Sequence, residues 1–503
     1  MRRERGRRSG AGMGDRTLNE LGLRARGGAN PQLSGLTVDS RAVRPGFLFA
    51  ALPGSKVHGA SFIGKALAQG AAAVLTDPAG AAVAAEALDG APVALVLAED
   101  AREALAYAAA LWFGAQPATM VAVTGTNGKT SVATFTRQIW GLLGHPAINI
   151  GTTGVEGAWA APSSHTTPDP ITLHAMLAQA AEAGVTHAAM EASSHGIDQR
   201  RLDGVRLAAA GFTNLTQDHL DYHGTMEAYF TAKSELFTRL LPEGGTAVIN
   251  AEGARGPEML GLAQARGLKT LSVGRREGAD LRLLGQRFDA TGQELRFDWK
   301  GMAQQVRLNL IGGFQAENVL LAAGLAIAAG APPRDVFAVL PHLTGVRGRM
   351  QLAAARRNGA AVYVDYAHTP DAIATALRAL RPHVMGRLII VFGAGGDRDT
   401  SKRPLMGTAA RENADVLYVT DDNPRSEDPA AIRAAVRAAC PEANEVGDRA
   451  EAILRGVDAL QPGDALLIAG KGHETGQVIK GEVFPFDDVE QASIAVAALD
   501  GVI

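Results

Sequence analysis

The sequence predicts an α/β protein of several domains, built on open and largely parallel sheets. Three observations carry this. The chain has 503 residues, more than one hydrophobic core of ordinary size accommodates. Runs rich in Val, Ile and Leu alternate with Ala-rich helical stretches, which favours helices layered on sheets over an all-β architecture. Several apolar runs end abruptly in Gly- or Asp-rich loops, as strands do at the ligand-facing edge of a parallel sheet.

The composition, 47% hydrophobic and 20% charged, is that of a soluble globular enzyme. A net charge of −3 gives no general field for nucleic acid or a membrane surface, so neither is expected as a partner and anionic ligands need local clusters. One cysteine, Cys440, excludes an internal disulfide and fits a reducing, cytoplasmic compartment. The longest apolar run, Val319 to Ala329, is short of a membrane span and reads as a buried helix. The N-terminal tail holds Arg2, Arg3, Arg5, Arg7 and Arg8 with no apolar segment behind them, so residues 1–14 are expected to be a solvated, disordered tail, with Met13 an alternative start.

Three segments follow from punctuation. The first, 1–113, contains the strand-turn-strand pattern "LTVDSRAVRPGFLFAALPG", and "GAQPAT" (Gly114–Thr119) links it to the next. The second, 114–345, opens with the short strand Met120–Val123 and ends at "LPHLTGVRGRM". The third, 346–503, carries "RLIIVFGAGG", "ADVLYVTDDNP" and "DALLIAGKGHE", three strands whose terminal loops should gather on one edge.

The sharpest local signal is "VAVTGTNGKTS", Val121–Ser131. An apolar strand enters Gly125-Thr126-Asn127-Gly128-Lys129-Thr130 and then a helix. Backbone N–H groups of such a loop curl around phosphate oxygens, and the helix N-terminus adds partial positive charge. Lys129 would reach the β- and γ-phosphates, and the Thr130 hydroxyl would ligate Mg²⁺. Val123 stands where the general pattern has its first glycine, so the loop is a compressed variant. A second carboxylate for the metal is offered by Glu191, at the end of "THAAMEASSH", although a strand-end glutamate can also be simply solvated.

In "TMEAYFTAKSELFTRLL" (Thr225–Leu241), Met226, Tyr229, Phe230, Leu236, Phe237 and Leu240 form a helical stripe, and Lys233 falls inside it. Snorkelling to water is the ordinary fate of such a lysine. A desolvated one has a depressed pKa and a nucleophilic amine, which can add CO₂ to become a metal-binding carbamate. Upstream, "FTNLTQDHLDYHG" clusters Asn214, Asp218, His219, Asp221 and His223, a pattern compatible with metal ligation but also with satisfied core histidines.

Taken together, "GTNGKT", "TTPDP", "MEASSH", "FTNLTQDHLDYHG", the Lys233 helix, "GGFQAENVLLA", "GRM", "VDYAHTPDA", "GAGGDRDTSKRPLMG", "DNPR" and "GKGHE" resemble the Mur ligase family, from Asp39 to Glu474. The likeness is strongest to the members that add a third amino acid, meso-diaminopimelate. It implies an N-terminal domain for a uridine nucleotide, a central P-loop ATPase-like domain and a C-terminal Rossmann-like domain for the amino acid. By this resemblance ATP lies on Gly125, Thr126, Asn127, Gly128, Lys129 and Thr130, with Asn318, Arg349, Asp365 and His368 around it. Lys129, Glu191, His219 and Lys233 are implied as catalytic. Thr130, Glu191, His219 and a carbamylated Lys233 (N6-carboxylysine) are implied around Mg²⁺. Ser40, His58, Thr166, Thr167, Ser193, Gln199 and Arg201 are implied for the UDP-linked precursor, UDP-MurNAc-L-Ala-D-Glu. Arg398, Asp422, Asn423, Arg425, Gly470 and Glu474 are implied for diaminopimelate. Such enzymes act on small molecules, often as monomers.

Arg425 is the discriminating residue. Its planar fork can grip a carboxylate that diaminopimelate has and lysine lacks. Two readings from other classes are weaker. A nicotinamide enzyme would need a small residue where Arg398 follows Gly393, Gly395 and Gly396. A P-loop switch would have no use for "DNPR" and "GKGHE". A folate ligase on the same ATPase core is the nearer alternative, and "TTPDP" with "DNPR" speaks against it.

Overall fold

The computed structural model describes residues 15–54, 57–163 and 165–502, so the expected tail at 1–14 lies outside the described residues. Three large sheets organise the described residues, each covered by its own helices, and two two-stranded sheets accompany them.

The first sheet has four parallel strands in chain order, Gly35–Thr37, Phe47–Ala50, Ala73–Thr76 and Ala94–Leu97. The strand-turn-strand pattern is therefore a parallel pair joined by a crossing segment at 38–46. Leu36, Leu48, Leu75 and Val96 pack on one side with Leu105 and Trp112 of the helix Ala101–Phe113.

The central sheet has ten strands. Its parallel core places Thr119–Thr124 between His187–Glu191 and Leu207–Phe212. Strand burial is nearly complete there, which explains the continuous apolar runs rather than an alternating pattern. The helices Lys129–Leu142 and Gln315–Ala328 cover one face; the latter is the buried Val319–Ala329 run. Pro170–Glu182, Met226–Glu235 and Gly256–Ala265 cover the other. The predicted single helix at Thr225–Leu241 is α-helical only over Met226–Glu235 and continues as a π-turn over Leu236–Leu240. That wider turn keeps Leu236 and Phe237 in the core.

The C-terminal sheet has six strands, with Ala465–Ala469 between Ala361–Asp365 and Leu388–Phe392, and Val416–Val419 beyond. These four run parallel, so the loops after them open on one edge. A buried ion pair braces that edge from behind. Arg449 donates Nε to Asp488 Oδ1 and Nη2 to Asp488 Oδ2, both at 2.7 Å, and reaches the carbonyls of Asp421 and Ala469.

His383 ties the C-terminal segment to the central sheet: its Nε2 accepts from Gly312 N at 3.1 Å, and its Nδ1 lies 2.7 Å from Asp289 O.

Candidate active site

The strand Thr119–Thr124 delivers its backbone into a loop that only glycine can form. Gly125 has φ +143° and a Cβ there would sit 1.8 Å from Thr213 Oγ1; Gly128 has φ +88° and would press on Asn318 Oδ1 at 2.6 Å. The loop after the neighbouring strand holds this turn in shape. Thr213 donates to Asn127 O at 2.6 Å, Asn214 Oδ1 accepts from Asn127 N at 3.0 Å, and Thr126 N donates to Asn214 O at 2.9 Å. Asn214 is thus spent on bracing the loop, a role its place beside Asp218 and His219 in sequence did not reveal.

Lys129 opens the helix and folds back, donating from Nζ to the carbonyls of Gly125 (3.0 Å) and Thr126 (2.9 Å). Burial lowers its pKa, against the fields of Glu191 and Asp218. Glu191 is 1% exposed. It accepts from Thr152 N at 2.9 Å, and a Cβ on Gly151 would collide with its Oε1. A buried carboxylate facing the half-buried Lys129 is not a solvated strand end.

Lys233 does not snorkel. It is 1% exposed, donates to Gly125 O at 2.8 Å, and lies 4.4 Å from the Tyr229 ring centroid. Desolvation, then repulsion from Lys129, pushes its pKa well down. The same carbonyl therefore receives both lysines of the cradle. His219 adopts φ +53°, sits beside Asp218 at 3.5 Å, and meets the His195 ring edge-on. Burial lowers its pKa to about 4, so the imidazole is neutral near pH 7.

Across the seam, Arg349 stacks over Tyr366 and donates to Thr130 Oγ1 at 3.4 Å. Asp365 accepts from Met350 N and Ala367 N, and burial raises its pKa against the pull of Arg349. His368 is turned by a contact from Nδ1 to Tyr366 O at 2.8 Å. Asn318, 8% exposed, bonds Gln315 and flanks Gly128. The structure thus brings the predicted nucleotide residues around one cradle.

Among the described residues no group of three His, Cys, Asp or Glu side chains is arranged to hold a metal by itself. Mg²⁺ takes few protein ligands and completes its shell with phosphate oxygens and water. A buried hydroxyl at Thr130 and a buried carboxylate at Glu191, both beside the cradle, fit that demand.

Residues expected for the precursor divide. Thr166 bonds Thr152, and Gln199 and Arg201 pair with each other at 2.7 Å. Thr167 is 1% exposed, and its hydroxyl is occupied by Glu191 O and by Ser193 N and Oγ, so it shapes the strand end. Ser193 caps the short helix Ser194–Asp198. In the first domain Ser40 is buried, and His58 is engaged with Asp77 and with Ala60 N.

The three strand-end loops of the C-terminal sheet converge as expected. Arg425 has φ +54° and donates to Gly396 O at 2.7 Å. A side chain on Gly396 would strike Pro424 O at 2.0 Å. Gly393 likewise lies against Thr420 O, so close contact between loops accounts for both glycines. Arg398 is exposed at the rim. Asp422 is buried and accepts from Asn423 N, and a Cβ on Gly470 would meet its Oδ2 at 2.5 Å. Asn423 donates to Glu474 Oε2 at 2.9 Å. Lys471, fully buried beside this pair, was not singled out in the sequence; a lysine after a strand-end glycine carries no signal of its own.

The same three units are found in known proteins. Residues 32–112 match the profile described as "Mur ligase family, catalytic domain", 123–326 the "Mur ligase middle domain", and 348–472 the "Mur ligase, glutamate ligase domain". A UDP-N-acetylmuramoyl-L-alanyl-D-glutamate–2,6-diaminopimelate ligase of Bradyrhizobium diazoefficiens is 53% identical over 471 residues, covering 93% of this chain and 95% of that one. The protein of the same name from Caulobacter vibrioides is 52% identical over 478 residues, covering 94% and 97%. A solved structure of a ligase of that name superposes with a TM-score of 0.68 at 35% identity, covering 93% and 95%.

Proposed function

Because the chain belongs to the Mur ligase family, we propose that it joins meso-diaminopimelate to the D-glutamate γ-carboxylate of UDP-MurNAc-L-Ala-D-Glu, with cleavage of ATP to ADP. The observation that carries the reading is the meeting of two loop sets. A phosphate cradle on the central sheet, with Lys129 and Lys233 on one carbonyl, meets the C-terminal segment through Arg349 on Thr130, and loops of that segment hold a guanidinium fork at Arg425. The domain limits that go with it are 1–113, 114–345 and 346–503.

The γ-phosphoryl group passes from ATP to the γ-carboxylate, giving an acyl phosphate and ADP. The amine of diaminopimelate then attacks the acyl carbon, and phosphate leaves from the tetrahedral intermediate. Lys129 offsets charge on the transferring group, and the backbone N–H groups that open the helix at Gly128, Lys129 and Thr130 hold the phosphates. Mg²⁺, held by Thr130 and Glu191 with His219 and a carbamylated Lys233 nearby, would supply further charge neutralisation. Ser40, His58, Thr166, Thr167, Ser193, Gln199 and Arg201 belong to the precursor's path, Thr167 through its hold on Ser193. Asn318, Arg349, Asp365 and His368 close over the nucleotide. Arg398, Asp422, Asn423, Arg425, Gly470 and Glu474 receive the amino acid.

The reading takes the enzyme to act as a monomer. No helix among the described residues is long and apolar enough to cross a membrane. The reading places the enzyme in the cytoplasm, where its nucleotide-linked precursor and ATP are expected. The deciding experiment is ADP release, which is expected to require both the UDP-linked dipeptide and diaminopimelate. Release that ignores the amino acid overturns the reading.

A further inference from the structure

The geometry points to Lys471 as a positioning residue that sets the amino-acid specificity of the C-terminal loops; the inference rests on the placement of diaminopimelate against Arg425 and Glu474. Lys471 follows the strand Ala465–Ala469, and its side chain is 0% exposed. An ammonium is taken out of water only at considerable cost unless its donors are met. Here Nζ donates to Asn423 Oδ1 at 3.1 Å and to Glu474 Oε2 at 3.2 Å.

Those bonds settle the orientation of both partners. Asn423 Oδ1 also accepts from Val478 N at 2.9 Å. With two donors aimed at it, that atom must be the oxygen, and the amide nitrogen turns to Glu474 Oε2 at 2.9 Å. Glu474 Oε2 in turn receives both Lys471 and Asn423. Its other oxygen takes no hydrogen bond among the described residues, and the side chain keeps 33% of its surface exposed. Lys471 thereby divides the carboxylate into one anchored oxygen and one left to accept from a ligand ammonium.

Arg425 spends Nη1 on Gly396 O and keeps further N–H donors for a carboxylate. An anchored acceptor and a cationic fork on converging loops match an α-amino-acid head group carrying both charges. Diaminopimelate has such a head at its far end, whereas lysine has the ammonium alone. Lys471 acts on this recognition without touching substrate, by holding Glu474 Oε2 in place.

The test compares Lys471→Met, Glu474→Gln, Arg425→Ala and the double variant K471M/E474Q in the full chain. ADP release is measured against each substrate in turn, with a thermal midpoint for every variant. K471M is expected to raise the KM for diaminopimelate at least tenfold and to leave the KM values for ATP and the UDP-linked dipeptide within twofold. K471M/E474Q is expected to be no more than threefold worse than K471M, because the neutral amide that replaces the carboxylate no longer needs the cation. A rise in all three KM values that follows a falling midpoint, or losses in the double variant that multiply, overturns the positioning role. If R425A and E474Q leave the diaminopimelate KM unchanged, the placement of the amino acid fails and the role of Lys471 fails with it. If those two raise it and K471M does not, only the lysine's role is lost.

Discussion

Replacing Lys233 separates chemistry from stability. Its amine makes one hydrogen bond, to Gly125 O, which also accepts from Lys129 Nζ at 3.0 Å. Lys233→Met keeps the volume and leaves that carbonyl satisfied, so the expected cost is only the net value of one hydrogen bond, about 0.5–1.5 kcal/mol. The contact with Tyr229 adds little, because a lysine this desolvated is held toward its neutral form. Activity should fall far more, by about 100-fold or beyond, equivalent to about 2.7 kcal/mol in the barrier. The neutral amine can add CO₂ and release a proton, giving a carbamate whose negative charge faces Lys129 where a cation would be repelled. Methionine cannot follow that route. Lys233→Ala loses more stability, about 2–5 kcal/mol by analogy with other large-to-small changes in a core. It also opens room for acetate or formate, which should restore part of the lost rate. ADP release with all substrates, with and without added carboxylate, reads the chemistry, and urea unfolding reads the stability. Lys233→Met within twofold of the unmodified rate would refute the argument.

Arg425→Ala should reduce the preference for diaminopimelate over lysine by roughly 10- to 150-fold, the value of about 1.5–3 kcal/mol for a hydrogen bond to a charged group. Competition between the two amino acids measures it, and an unchanged ratio would remove Arg425 from recognition. Arg449→Met should cost the C-terminal domain about 3–5 kcal/mol in urea unfolding by stranding Asp488 in the core, and R449M/D488L should recover part of that loss; a double variant as unstable as the summed singles would count against it. His187 stacks on His145 and Trp140, and burial, then His145, lowers its pKa from 6.5 to about 4. The unfolded chain takes up that proton from pH 6.5 downward while the folded one does not, so its contribution is present above pH 6.5 and lost between 6.5 and 4. His187→Phe should flatten the fall in unfolding midpoint over that window, and an equally steep fall would refute the assignment.

Local order along the chain determined much of this protein. The glycine loop at Gly125–Lys129 is legible because positive φ and close backbone approach leave few alternatives to glycine. The strand-end loops are legible because parallel strands buried on both faces read as unbroken apolar runs that stop at glycine or aspartate. The stripe on the Lys233 helix also showed in its spacing. What only the tertiary structure decided is where each polar group spends its hydrogen bonds. Lys233 could have reached water, but the cradle closes over it, and its amine finds the carbonyl of a residue 108 positions away. Asn214 looked like part of a metal cluster and instead braces Asn127. Thr167 stood in a substrate motif and is consumed by a neighbouring strand end. Lys471 gave no signal until Asn423 and Glu474 were seen around it. Periodicity and turn chemistry act over a few residues, whereas burial of a charge depends on segments that meet only when the chain has folded.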